Sequence, residues 1–334
     1  MKKKFKKIAY IFYLITVVII LFEISYRYQI IDFYKPELKE YNSKNYNKNN
    51  NSILVFGDSF SANNQSYVKT LQDSLPNISF INNAVSGTGI IETNLIAKKR
   101  VIKAPKALIY QIYVGNDLMD IRKKSNASNY PFWKKVYYSI SNNLISFRFL
   151  NYRLSQFKTI RDFRSKLDIP NPNYIKNDTI FSIDKYSDYE KQTLNGDQKL
   201  LKNSILVEGD RIKDFKKMLK KIETLLEICK VGDSIPVYLV VVPHCSQINS
   251  HYKNKYEKMG LSISQDSKYT IYNYPFIKGL KKKFSNKNIK IINLLPALRS
   301  NDRENNRQYL VNDFHFSGRG IQTTASEILK YIKK

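Results

Sequence analysis

Two short segments near opposite ends of the chain hold the residue types that acyl chemistry needs. The first, Gly57-Asp58-Ser59-Phe60, follows the apolar run 53–56. A β-rich run that breaks into a glycine turn leaves a serine hydroxyl at the carboxyl edge of a strand. The next helix is expected to begin there, with its free N–H groups facing outward. A serine so placed can act as a nucleophile, because backbone donors and positive potential lie beside any negative charge that develops. Alone, Gly-Asp-Ser is an ordinary capped turn, and only partners elsewhere lift it above that. Acyl transfer through serine needs a base, a group that orients the base, and donors for the oxyanion. The chain has three histidines, His244, His251 and His315. His315 lies in Asn312-Asp313-Phe314-His315 on a loop just before the C-terminal helical pattern, where an acidic neighbour suits a base and its orienter. His244 follows the strand pattern 237–242 and Pro243, and either lines the cleft or is satisfied locally. His251 sits in a polar stretch and reads as surface. Oxyanion donors come from backbone N–H groups in tight turns or from a side-chain amide. Candidates are the turn Asn82-Asn83-Ala84-Val85-Ser86-Gly87-Thr88-Gly89 and the segment Tyr113-Val114-Gly115-Asn116-Asp117, where Asn116 supplies an amide.

These residues need a scaffold that delivers them to one edge. Apolar runs rich in β-branched and aromatic residues mark strands at 53–56, 78–81, 107–113, 237–242 and 289–294. Helical patterns lie between them at 66–74, 90–99 and 214–229, and a last one spans 320–331. Buried strands alternating with helices predict an α/β protein with a parallel sheet covered on both faces. Such sheets bind ligands at the carboxyl ends of their strands. From about 122 to 208 the rhythm breaks: an aromatic patch (Tyr130-Pro131-Phe132-Trp133), a helical stretch around 137–157, and a polar tract with Pro170 and Pro172. That length predicts an insertion rather than a structureless loop. It is either a lid that sets substrate choice or an excursion without such a role.

The chain has 334 residues, 43% hydrophobic and 13% aromatic, enough for one full α/β core and too apolar for a disordered protein. Its formal charge is +28. The lysines are scattered and no recognition motif accompanies them, so nucleic acid is not an expected partner. A basic face can still attract an acidic polymer or anionic lipid. The N-terminus carries a basic flank (1–7) followed by an apolar run that predicts a transmembrane signal anchor over 8–24. No small-x-small cleavage site follows it and no lipoprotein cysteine. The lysines put the N-terminus in the cytoplasm of a bacterial cell, with the rest extracytoplasmic. Residues 25–51 read as a juxtamembrane segment and linker, and 52–334 as the catalytic domain. Cys229 and Cys245 form no Cys-x-x-Cys pair, so metal binding is not expected. Two separate buried thiols are the default, and no cofactor is called for.

The order Gly-Asp-Ser, glycine turn, Gly-x-Asn-Asp, then an Asp/His loop before the last helix resembles the SGNH (GDSL-type) hydrolase superfamily. The resemblance runs from about 52 to 322, interrupted by the insertion. It implies a flavodoxin-like three-layer α/β/α sandwich with a five-stranded parallel sheet. It also implies Ser59 as nucleophile, His315 as base, and an oxyanion hole from Ser59, Gly87 and Asn116. The superfamily usually places its orienting Asp three residues before the histidine, where this chain has Asn312. Asp313, two before, has the spacing of the alginate-acetylating branch and is the expected orienter; a Ser-His dyad helped by Asn312 is the alternative. Membrane-anchored members resemble proteins that add or remove acyl groups on cell-surface or exported polysaccharides. An acylated glycan or small ester is therefore the expected substrate, with surface-polysaccharide assembly proteins as partners. Hydrolysis and transfer both stay open, as does a non-catalytic glycan-binding role.

Overall fold

The computed structural model describes residues 2–42, 51–62, 65–123, 132–157, 159–160, 181–186, 188–260, 263, 266–285 and 288–333. Five parallel strands form one sheet in the order β2-β1-β3-β4-β5: β1 Ser52–Phe56, β2 Ser79–Asn82, β3 Ala107–Tyr113, β4 Val237–Val242 and β5 Ile289–Asn293. The central strands are buried along their whole length, because helices cover both faces and leave no polar side to the pleat. Ile53, Leu54, Val55 and Phe56 have no solvent exposure, and each contributes about 1.5–3 kcal/mol by burial. Gln111, 1% exposed, is the polar residue inside β3, and its place becomes clear at the site.

The helices, in chain order, are α1 Lys2–Tyr28, α2 Lys35–Asn42, α3 Tyr67–Ser74, α4 Ile90–Arg100, α5 Asp117–Ile121, α6 Phe132–Asn143, α7 Ile145–Gln156, α8 Asp188–Leu206, α9 Arg211–Cys229, α10 Ser250–Lys258, α11 Pro275–Phe284, α12 Leu295–Asn301 and α13 Gly318–Ile332. α3 packs with α13, and α4 with α9. Chain order and the right-handed rule for parallel crossovers put these pairs on opposite faces, giving an α/β/α sandwich. Every crossover returns to the amino edge, so each strand ends at the same rim.

Two expected features differ. The helix after Ser59 does not begin at the serine: a turn intervenes and α3 starts at Tyr67, so the backbone donors beside Ser59 belong to a turn. The helical stretch expected around 137–157 is two helices broken at Leu144. The expected polar linker lies largely outside the described residues, as do Tyr130, Pro131, Pro170 and Pro172.

α1 is long and apolar enough over Lys4–Tyr28 to cross a membrane. The last turns of α1 and the chain beyond it pack onto the domain. Glu23 accepts the backbone N–H groups of Ile145 (3.1 Å) and Ser146 (2.9 Å) and the Ser146 hydroxyl (2.5 Å). It thereby caps α7, where free donors and the helix dipole favour a carboxylate. Phe149 of α7 packs on Tyr26, Phe33 and Tyr34. Ion pairs Arg100–Asp32 (2.5 Å) and Arg153–Glu37 (2.6 Å) fasten the rest. Cys229 and Cys245 are buried free thiols.

Candidate active site

The turn after β1 is built around a close approach. A Cβ on Gly57 would lie 2.6 Å from Gln111 Oε1 and 2.9 Å from Ser61 Oγ, so glycine is required there. Gln111 Oε1 accepts the Asp58 N–H (3.1 Å) and the Ser61 hydroxyl (3.1 Å). Asp58 Oδ1 accepts the Phe60 N–H (3.0 Å), and the Asp58 carbonyl accepts the Ser61 N–H (3.1 Å). These bonds brace both flanks of Ser59 and leave its hydroxyl at the rim. Asp58 itself is 2% exposed. Burial pushes its carboxyl up to about 6, against the pull of the Phe60 N–H and of His315. Asp117, also buried, accepts the Tyr113 N–H (3.0 Å). Burial, with Asp58 and Asp120 nearby, holds its carboxyl well above the usual range.

The histidine loop meets this turn. His315 Nε2 lies 2.7 Å from Ser59 Oγ, and His315 Nδ1 lies 2.7 Å from Asp313 Oδ1. A carboxylate only accepts, so Nδ1 carries the proton and Nε2 is the acceptor that faces the serine hydroxyl. Asp313 Oδ1 also takes the His315 backbone N–H (3.1 Å), a closure that a two-residue spacing makes possible. The imidazole contacts Phe60 (ring centroids 5.0 Å apart) and Phe314 (4.5 Å). The loop is held by a bond from Leu310 N to His315 O (2.9 Å) and by the Tyr309 hydroxyl donating to Pro243 O (2.6 Å). Ser317 then caps α13 by accepting the N–H groups of Arg319 and Gly320.

Asn312 does not reach the histidine. It is buried, and its Oδ1 accepts the N–H of Ser182 in the insertion (3.2 Å). Gly87 adopts φ +72° in the turn after β2, a conformation that glycine takes without strain. That turn is tied to the serine turn through Val85 N to Gly57 O (3.2 Å). Asn116 follows β3 at the same rim, half-buried, with Oδ1 unpartnered among the described residues. Gly87 and Asn116 are thus on the two turns flanking Ser59, and neither is bonded to it. His251 is half-buried against Tyr252. His244 is 6% exposed and, among the described residues, its ring is hydrogen-bonded through Nδ1 alone.

Several residues that shape the site carried little sequence signal. Phe60 and Phe314 read as neighbours of the motif residues rather than as packing for His315. Gln111 left a visible clue: a polar residue inside an otherwise apolar strand. Arg148, which donates to Asp120 O (2.5 Å) and pairs with Glu92 (3.3 Å), lies in the insertion and had none.

The fold and this constellation define an α/β/α protein with an Asp-His-Ser hydrogen-bond chain at the carboxyl rim of its sheet. No family model and no curated protein sequence matches the chain. Among solved structures, a member of the lipolytic protein G-D-S-L family from Veillonella parvula DSM 2008 aligns with 12% sequence identity and a TM-score of 0.40. The alignment covers 85% of this chain and 98% of that one.

Proposed function

We propose that the chain is a serine esterase or O-acyltransferase that works through an acyl-serine intermediate. The observation that carries this reading is the chain of two 2.7 Å bonds from Asp313 through His315 to Ser59. His315 Nε2 takes the Ser59 proton as Oγ attacks an ester carbonyl. The tetrahedral oxyanion is met by the N–H groups of Ser59 and Gly87 and by the Asn116 amide. Collapse expels the alcohol, protonated by His315, and leaves the acyl group on Ser59. Water or a second hydroxyl then attacks, again losing its proton to His315. Asp313 fixes the tautomer and stabilises the imidazolium that forms.

The substrate class in this reading is an acyl ester, acetyl above all, of a cell-surface or exported polysaccharide. The basic surface supports it, being suited to an acidic polymer. α1 acts as a single-pass anchor with its lysine-rich end in the cytoplasm, the arrangement that positive charge at a membrane flank favours. A glycan-binding role without catalysis drew its weight from the unusual spacing of Asp313. The 2.7 Å contact of Asp313 Oδ1 with His315 Nδ1 favours the catalytic reading over it.

The test is direct. The wild-type protein should hydrolyse an aryl acetate and be labelled at Ser59 by a fluorophosphonate, and Ser59→Ala should do neither. A folded wild-type protein that is neither active nor labelled would end this reading.

A further inference from the structure

His244 follows Pro243 at the end of β4, on the rim that carries Ser59 and beside the β3 turn that carries Asn116. Its ring is clamped from one side. Nδ1 accepts the Ser246 N–H (3.2 Å) and lies 2.7 Å from Ser246 Oγ, which in turn lies 2.7 Å from the Tyr269 hydroxyl. The backbone N–H of His244 donates to Gln247 Oε1 (2.9 Å), and Gln247 Nε2 donates to Tyr269 O (2.9 Å). Since Nδ1 is the acceptor of a backbone N–H, the ring proton resides on Nε2. The relay then has one direction: Tyr269 donates to Ser246, and Ser246 to Nδ1. Burial holds the imidazole down to about 3, so it stays neutral and serves as a fixed donor, not as an acid or base.

Nε2–H makes no hydrogen bond to any described residue. Nε2 is not one of the fully enclosed polar atoms, so it keeps contact with solvent at the rim, where an incoming hydroxyl can meet it. Here one nitrogen is anchored through two further side chains, and the other has no hydrogen-bond partner among the described residues. The ring also belongs to the aromatic array around the base. It stacks with Tyr113 (6.2 Å, 22°), and Tyr113 stacks with Phe314 (5.7 Å, 8°), next to His315. β4 lies two strands from β1, or ~10 Å at the usual strand spacing.

We propose that His244 is an acceptor-binding residue: its Nε2–H holds a saccharide hydroxyl so that a neighbouring hydroxyl faces the acyl group on Ser59. The proposal rests on the acyl-serine reading above and adds that the intermediate is directed to an alcohol. In the step it serves, His315 Nε2 removes the proton of the acceptor hydroxyl as that oxygen attacks the acyl carbonyl carbon. The bond from that carbon to Ser59 Oγ breaks, and Oγ recovers the proton from His315. One ester is exchanged for another.

The experiment uses the full chain in detergent, with 4-nitrophenyl acetate as donor and methyl glucoside as acceptor. Acetylated glucoside and free acetate are measured together. The ratio of transfer to hydrolysis should fall about tenfold in His244→Ala, the worth of one good hydrogen bond. His244→Gln, which keeps an amide N–H, should recover most of it. A purely structural role would lower both products together and leave the ratio unchanged, which would overturn the proposal. So would a ratio that Gln fails to restore, or a wild type labelled at Ser59 that transfers nothing to the glucoside. Wild-type protein that is folded but unlabelled would instead defeat the acyl-serine reading itself.

Discussion

Asp313 Oδ1 receives two hydrogen bonds from one residue, the backbone N–H and the Nδ1–H of His315. The orienting group and the base therefore form a single local unit. The unit needs only the loop to be held against the serine turn, which the bond from Tyr309 to Pro243 and the Phe60 and Phe314 rings provide.

Asp313→Asn should accordingly lower kcat for an aryl acetate by about 10³–10⁴-fold, because an amide stabilises the wrong tautomer and no imidazolium. Asn312→Asp in the same background should restore little, since position 312 is turned to Ser182. Steady-state kinetics on the single and double variants checks both statements. Recovery in the double variant would mean that the loop can change register.

Gly57→Ala places a methyl group 2.6 Å from Gln111 Oε1. Gln111 cannot retreat without releasing the Asp58 N–H and the Ser61 hydroxyl. The variant should lose on the order of 1–3 kcal/mol of stability and most of its activity. Denaturant melts and fluorophosphonate labelling report the two losses separately.

Asp58 gives a pH signature. Its folded carboxyl sits at about 6, above the unfolded value of about 3.9, so between those values the folded state holds a proton that the unfolded state releases. Stability from this group is fully present below the unfolded value and falls as pH rises through about 6. Asp58→Asn removes the titration. Its melting temperature should therefore decline less between pH 4 and pH 7 than that of the wild type, and identical slopes would refute the assignment.

Glu23→Ala leaves the first N–H groups of α7 without their carboxylate. The cost should be about 1–2 kcal/mol, read as a lower melting temperature in detergent. Glu23→Gln should retain part of the cap and fall between the two.

The strands were legible because they are buried on both faces. A run with no polar side announces itself, and 107–113 and 237–242 match β3 and β4 to the residue. The rim turns were legible as types: glycine where backbone and side chain meet, and Asn or Asp where the chain leaves a strand. What the residues could not convey were contacts between distant parts. Beyond the break at Leu144, the donors of the new helix start are taken by Glu23, more than a hundred residues earlier. The use of Asn312 depended on Ser182, in an insertion with no motif. His244 could be read two ways because its anchor, Tyr269, is set by tertiary packing.

The cap on α7 has a mechanical corollary. Glu23 lies on α1 itself, within the same continuous helix as the apolar stretch, and Tyr26, Asp32 and Glu37 continue the grip without a gap. Domain and helix therefore turn as one piece. In the anchored arrangement proposed above, a domain fixed to its helix in this way would have no tether to swing on and would hold its cleft at a constant height and tilt.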